Sequence, residues 1–84
     1  MSVRQVLLYT RQGCHLCEEA RQGLLAMRGE SIRFELHEID IESDPELHRR
    51  LLERIPVVEV DGTPVCELLF DADAVRARLA TVQA

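Results

Sequence analysis

Val6-Leu7-Leu8-Tyr9-Thr10-Arg11-Gln12-Gly13-Cys14-His15-Leu16-Cys17 is the stretch on which the fold turns. Its apolar, β-prone part reaches back to Val3 and is broken by Thr10 to Gly13, so Val3 to Tyr9 reads as a buried strand. From Cys14 the period changes. Cys17, Ala20, Leu24 and Met27 recur at helical spacing, while Glu18, Glu19, Arg21 and Gln22 take the wet side. Gly29 stops this helix as a C-cap. A strand therefore runs straight into a helix, with two cysteines at the junction.

Further along, Ile32, Phe34 and Leu36 alternate with polar residues, and Ile39 and Ile41 follow. The pattern predicts a second strand over Ser31 to Ile41 with a phase slip near His37. Ser43 or Asp44 caps a short helix, Pro45 suits its first turn, and Glu46 completes a capping-box spacing from Ser43. Leu47 and Leu51 form its apolar side, which ends near Glu53. Val57 to Val60 and Val65 to Leu69 flank Asp61-Gly62, a strong hairpin signal. Asp71 caps a last helix in which Val75 and Leu79 lie four apart. The order is β-α-β-α-β-β-α: a parallel right-handed crossover, an antiparallel hairpin on the same sheet, and helices on both faces.

Bulk properties fit one small domain over 1-84. The 84 residues are 46% hydrophobic and 30% charged, an ordinary globular balance. Only Tyr9, Phe34 and Phe70 are aromatic, so Leu, Val, Ile and Ala must build the core. The net charge is -5 and all ten cations are arginine, with no basic stripe, which argues against nucleic acid or an anionic membrane as partner. The longest apolar runs span four or five residues, too few to cross a bilayer. No charged-then-apolar leader precedes the first strand, so a cytoplasmic location is expected. In that reducing compartment three cysteines are free, catalytic or metal-bound rather than a structural framework.

Cys14 and Cys17 carry the chemistry. Three apart at a helix start, they are close enough to form a disulfide. Cys14 faces unpaired backbone N–H groups and the positive end of the helix dipole, both of which favour the reactive thiolate. Cys17, one turn further in, is less exposed and less acidic, and is placed to attack a mixed disulfide on Cys14. The reading requires both sulfurs at an accessible helix tip beside residue 56. A zinc site would need two more ligands, and no second CxxC or matching histidine pair exists, so no metal is expected. Residues 15, 11 and 66 each have two readings. His15 lowers the Cys14 pKa as an imidazolium, or is a solvent-facing residue of the first turn. Arg11 stabilises the thiolate or pairs with a substrate carboxylate, or is a solvated loop cation. Cys66 is a small buried hydrophobe of the fourth strand, or a regulatory thiol. Pro56 opens the third strand, where its missing N–H is tolerated.

Tyr9 to Cys17, followed by Ile55-Pro56-Val57 and then Asp61-Gly62, resembles glutaredoxins, and looks most like a bacterial branch of short glutaredoxin-like proteins carrying Cys-His-Leu-Cys. The resemblance implies a thioredoxin-like fold and dithiol–disulfide exchange, with Cys14 as nucleophile and Cys17 as resolver. It further implies a cis Pro56 next to the CxxC and an Ile55 whose backbone groups pair with an extended substrate. Arg11 matches the basic residue before the first cysteine. No bound cofactor is implied; glutathione enters as a thiol co-substrate, and a monomer acting on protein or low-molecular-weight disulfides is expected. Two departures stand out. His15 and Leu16 replace the usual proline and aromatic residue. Glu67-Leu68-Leu69-Phe70-Asp71 stands where glutaredoxins carry a Gly-Gly pair that approaches the glutamyl end of glutathione, and its side chains would obstruct that approach. The alternative function is a non-catalytic module that holds a peptide or partner protein.

Overall fold

The computed structural model describes residues 3–30 and 32–80. Its elements are β1 (Arg4–Thr10), α1 (His15–Arg28), β2 (Phe34–Asp40), α2 (Pro45–Leu51), β3 (Val57–Val60), β4 (Thr63–Glu67) and α3 (Ala72–Ala80), with one 3-10 turn at Ile41–Ser43. The sheet order is β2-β1-β3-β4. β1 and β2 run parallel; β3 pairs antiparallel with both β1 and β4. This is the expected β-α-β-α-β-β-α order in one mixed sheet.

Side-chain alternation splits the core into two parts. Val6, Leu8, Val58 and Val60 point to one face and meet Ala20, Leu24 and Met27 of α1 and Val75 of α3, all at most 1% exposed. The helical period read from the sequence is what builds this larger core. Tyr9 and Val57 point the other way and pack with Ile41, Leu51 and Ile55, together with Cys17. α2 has only seven residues, so this second cluster covers the end of the sheet that carries the cysteines.

The hairpin forms as read. Asp61 and Gly62 both have positive φ (49° and 86°), the conformation that two-residue hairpin turns require. Asp61 also grips β1: its Oδ1 accepts the Gln5 N–H at 2.8 Å and its carboxylate pairs with Arg4. Arg4 in turn donates to the carbonyls of Leu79 (3.1 Å) and Arg78 (3.2 Å), placing a cation at the negative end of α3. Asp71 caps α3 through the Ala74 N–H at 3.0 Å.

Four local expectations are corrected. The second strand begins at Phe34, so Ile32 lies before it; Ser31 is outside the described residues. There is no slip at His37, because the ladder to β1 runs unbroken from Phe34 to Asp40 and Ile39 simply points to the opposite face from Leu36. The capping box from Ser43 to Glu46 does not form, and of the two candidate caps Ser43 does not hold α2. Asp44 does, accepting the Glu46 N–H at 2.9 Å, while the Ser43 hydroxyl donates to the Asp40 carbonyl. Asp44 wins because Ser43 is already committed to the preceding 3-10 turn. Finally, β4 starts at Thr63 and ends at Glu67; Leu68 and Leu69 leave the sheet.

Candidate functional site

The junction between β1 and α1 positions the cysteines. Gly13, at φ 84°, makes the turn that a side chain would oppose, and the Cys14 N–H closes it onto the Arg11 carbonyl at 3.2 Å. Cys14 is then the N-cap of α1. Its sulfur takes the place of a capping oxygen and accepts the Cys17 N–H at 3.1 Å. The two sulfurs are bonded to each other, with Cα atoms 5.2 Å apart.

The two cysteines occupy unlike surroundings. Cys14 is half-exposed and borders two grooves, whereas Cys17 is 1% exposed among Ile41, Leu51, Ile55 and Val57. The requirement that both sulfurs be accessible is therefore corrected: the helical face that builds the core carries Cys17 inward with it. Cys17 borders only the first of these grooves, alongside Cys14.

The groove on the α1 side, about 520 Å³, is bordered by Arg11, Glu18, Arg21, Glu38 and Asp40 besides Cys14. Its cations are already engaged. Arg11 Nε lies 2.9 Å from Glu42 Oε2, and Arg21 bridges Glu38 (3.0 Å) and Glu18 (3.4 Å). The second groove, about 400 Å³, lies between the loop at Arg11 to Cys14 and the residues Leu52, Glu53, Ile55 and Leu68.

The Ile55–Pro56 peptide is cis. Pro56 is itself fully buried, and Ile55, 8% exposed, is the residue of the pair that borders the groove. The Ile55 N–H donates to the Leu51 carbonyl at 3.0 Å, whereas its carbonyl has no partner among the described residues. Only one of its two backbone groups is thus left for an incoming strand. His15 faces solvent with 86% of its side chain exposed, and its Nε2 contacts Glu19 Oε2, one turn along the helix, at 2.9 Å.

Two residues at the site, Glu42 and Leu52, carry no signal in the sequence, and Leu68 stands out there only as part of the Glu67 to Asp71 segment. Glu42 meets Arg11 across 31 positions, a pairing that no local pattern encodes. Leu68 has φ 70°, unusual for a leucine, and the Leu69 N–H folds back to the Glu67 carbonyl at 2.8 Å to close a three-residue turn around it. The Leu68 N–H itself reaches the carbonyls of both Arg54 and Pro56 at 3.0 Å. Cys66, in β4, is half-buried, and that burial raises its thiol pKa. No group of three or more His, Cys, Asp or Glu among the described residues could hold a metal ion, and no helix among them is long and apolar enough to cross a membrane.

Comparison with known proteins follows the same lines. The family model described as Glutaredoxin-like domain (DUF836) matches residues 5–80. The solution structure of protein Ne2328 from Nitrosomonas europaea is similar at 32% identity and a TM-score of 0.81, covering 95% of each chain. A glutaredoxin from Brucella melitensis is 30% identical with a TM-score of 0.57, over 92% of this chain and 79% of that one. The oxidised mitochondrial thioredoxin 3 of Saccharomyces cerevisiae shares the fold, at a TM-score of 0.66 and 12% identity, over 94% of this chain and 78% of that one. No curated protein matches the chain in sequence. The chain belongs to the glutaredoxin-like domain family, and has the thioredoxin-like fold with its cysteines in CxxC spacing.

Proposed function

We propose that the protein is a thiol–disulfide oxidoreductase. The carrying observation is the asymmetry of the pair: a half-exposed Cys14 capping α1 with an N–H on its sulfur, bonded to a buried Cys17. In the reduced protein, the Cys14 thiolate attacks one sulfur of a substrate disulfide. A mixed disulfide forms, and the first substrate thiolate leaves and takes a proton from water. Cys17 then gives up its proton and attacks the Cys14 sulfur, releasing the second substrate thiol. Two electrons pass to the substrate and the protein is left oxidised. A thiol reductant, glutathione or a thioredoxin-type dithiol, restores it. Ile55 offers its carbonyl to the substrate backbone, Pro56 holds Ile55 at the groove, and Arg11 and His15 flank the entrance. A reducing, cytoplasmic setting and a monomer fit this chemistry.

The test uses two variants. Cys14→Ser abolishes reduction of a model disulfide, and Cys17→Ser accumulates a mixed disulfide visible as an added mass. If both retain the wild-type rate, the assignment fails.

A second reading, a non-catalytic binding module, is favoured by the exposed leucines Leu16, Leu52, Leu68 and Leu69. Redox titration separates the two. An oxidoreductase shows a reversible two-electron couple in the physiological range; a binding module need not.

A further inference from the structure

Two grooves meet at Cys14, and their chemistries differ. On one side the carboxylates of Glu18, Glu38 and Asp40 outnumber the guanidiniums of Arg11 and Arg21, and each guanidinium is already paired, Arg21 with Glu18 and Glu38 and Arg11 with Glu42. On the other side Leu52, Ile55 and Leu68 present apolar patches among the polar residues Arg11, Gln12 and Glu53. Leu52 and Leu68 are 36% and 48% exposed, which is open apolar area directly beside a candidate reactive sulfur.

Leu68 is held there at a cost. A leucine at φ 70° occupies backbone space that favours glycine, and a residue kept in such a conformation beside a functional site points to a purpose. Its amide is fixed on two carbonyls, those of Arg54 and Pro56, so the turn is anchored to the same loop that carries the cis proline. The leucine side chain is thereby presented at the groove by backbone bonds it does not itself make.

Resting on the oxidoreductase reading, we infer that the substrates are polypeptide disulfides whose cysteine has apolar neighbours and basic residues nearby, with Leu68 selecting the apolar neighbour. A glutathionyl group fits poorly. It carries two carboxylates and one ammonium, and both guanidiniums it would seek are occupied by protein carboxylates. A leucine-like side chain beside the reacting cysteine covers Leu52 and Leu68, and a lysine or arginine beyond it finds Asp40, the carboxylate of the opposite groove that no arginine holds.

The experiment measures oxidation of the reduced protein by symmetric peptide disulfides: protein dithiol plus peptide disulfide gives protein disulfide plus two peptide thiols. The peptides are Lys-Leu-Cys-Leu-Lys, Lys-Gly-Cys-Gly-Lys and Glu-Leu-Cys-Leu-Glu, each as its disulfide-linked dimer. Bis(2-hydroxyethyl) disulfide is the neutral reference, and the reaction is quenched by alkylation and read by mass. The wild type is expected to react about tenfold faster with the leucine–lysine peptide than with its glycine counterpart, the size of discrimination a few methylenes give. It should also prefer lysine over glutamate, by a margin that narrows as salt is added. In Leu68→Gly, whose backbone suits the positive φ, the leucine-to-glycine rate ratio falls towards one. In Leu69→Ala, one residue on and outside this groove, the ratio stays at the wild-type value. A wild type that reacts with bis(2-hydroxyethyl) disulfide but treats the leucine and glycine peptides alike overturns the selectivity alone, as does a Leu68→Gly variant that keeps the full ratio. A protein inert to all four disulfides overturns the oxidoreductase reading together with it.

Discussion

The Cys17 amide points at the Cys14 sulfur across 3.1 Å, so the residue whose thiol is buried lends its backbone hydrogen to the one that is half-exposed. The interaction favours negative charge on Cys14 once the disulfide is reduced, and it adds to the field of the helix start. Cys66 is the internal comparison, because burial pushes its thiol up. In the reduced protein at neutral pH, iodoacetamide is expected to label Cys14 about tenfold faster than Cys66, whose burial keeps it a neutral thiol. Peptide mapping after timed alkylation checks this. Equal rates would remove the electrostatic basis for assigning Cys14 as nucleophile.

Asp61 gives a pH signature. Its carboxyl lies below the ordinary value of 3.8, first because it accepts the Gln5 N–H and then because of Arg4. A group depressed in the folded state adds stability that is present above its unfolded pKa and lost as pH falls through the folded one. Asp61→Asn keeps a residue tolerant of positive φ and removes only the charge. Urea unfolding should show the variant less stable at neutral pH, with the gap narrowing as pH falls below 3.8 and the wild-type carboxyl takes up its proton. A gap unchanged across that range would show that the charge contributes nothing.

Gly23 on α1 faces the Phe70 ring so closely that an added Cβ would stand 2.4 Å from Cε2. Helix propensity alone predicts that Gly23→Ala stabilises by about 1 kcal/mol. Overpacking costs typically about 1–3 kcal/mol, so the net effect should be destabilising. Adding Phe70→Ala as a second substitution reverses the sign of the Gly23→Ala effect. A double-mutant cycle by chemical denaturation reads this directly, and additivity would show that the ring yields freely.

Glu42 holds Arg11 through an exposed pair. Glu42→Gln leaves the guanidinium available to a substrate carboxylate. Oxidation of the reduced protein by glutathione disulfide should then accelerate, by roughly three- to tenfold at low ionic strength and less in salt. Stopped-flow rates at two salt concentrations check it. No change would mean that Arg11 does not meet the substrate.

The parts legible in sequence are those written in short-range periodicity. Cys17, Ala20, Leu24 and Met27 fall on one buried stripe because 3.6 residues make a turn, and Asp61-Gly62 marks the hairpin because both positions take positive φ. The dithiol and its place at a helix start followed from the change of period at Cys14. What stayed hidden depends on partners far along the chain. The end of β4 is set by the Leu68 amide meeting the Arg54 and Pro56 carbonyls, so a run of leucines that suits a strand leaves the sheet at Glu67. The partner of Arg11 is fixed only when β1 and β2 lie side by side and bring Glu42 across. The inward turn of Cys17 was implicit in the helical stripe that contains it.

Arg4 joins the first strand to the closing carbonyls of the last helix, and so brings both ends of the described chain together at one pole of the molecule. β1 runs the other way for seven residues, about 20 Å at the usual strand rise, before reaching the loop of Cys14. A tether, a fusion partner or a solid support attached at that pole leaves the sulfur facing outward and unshadowed.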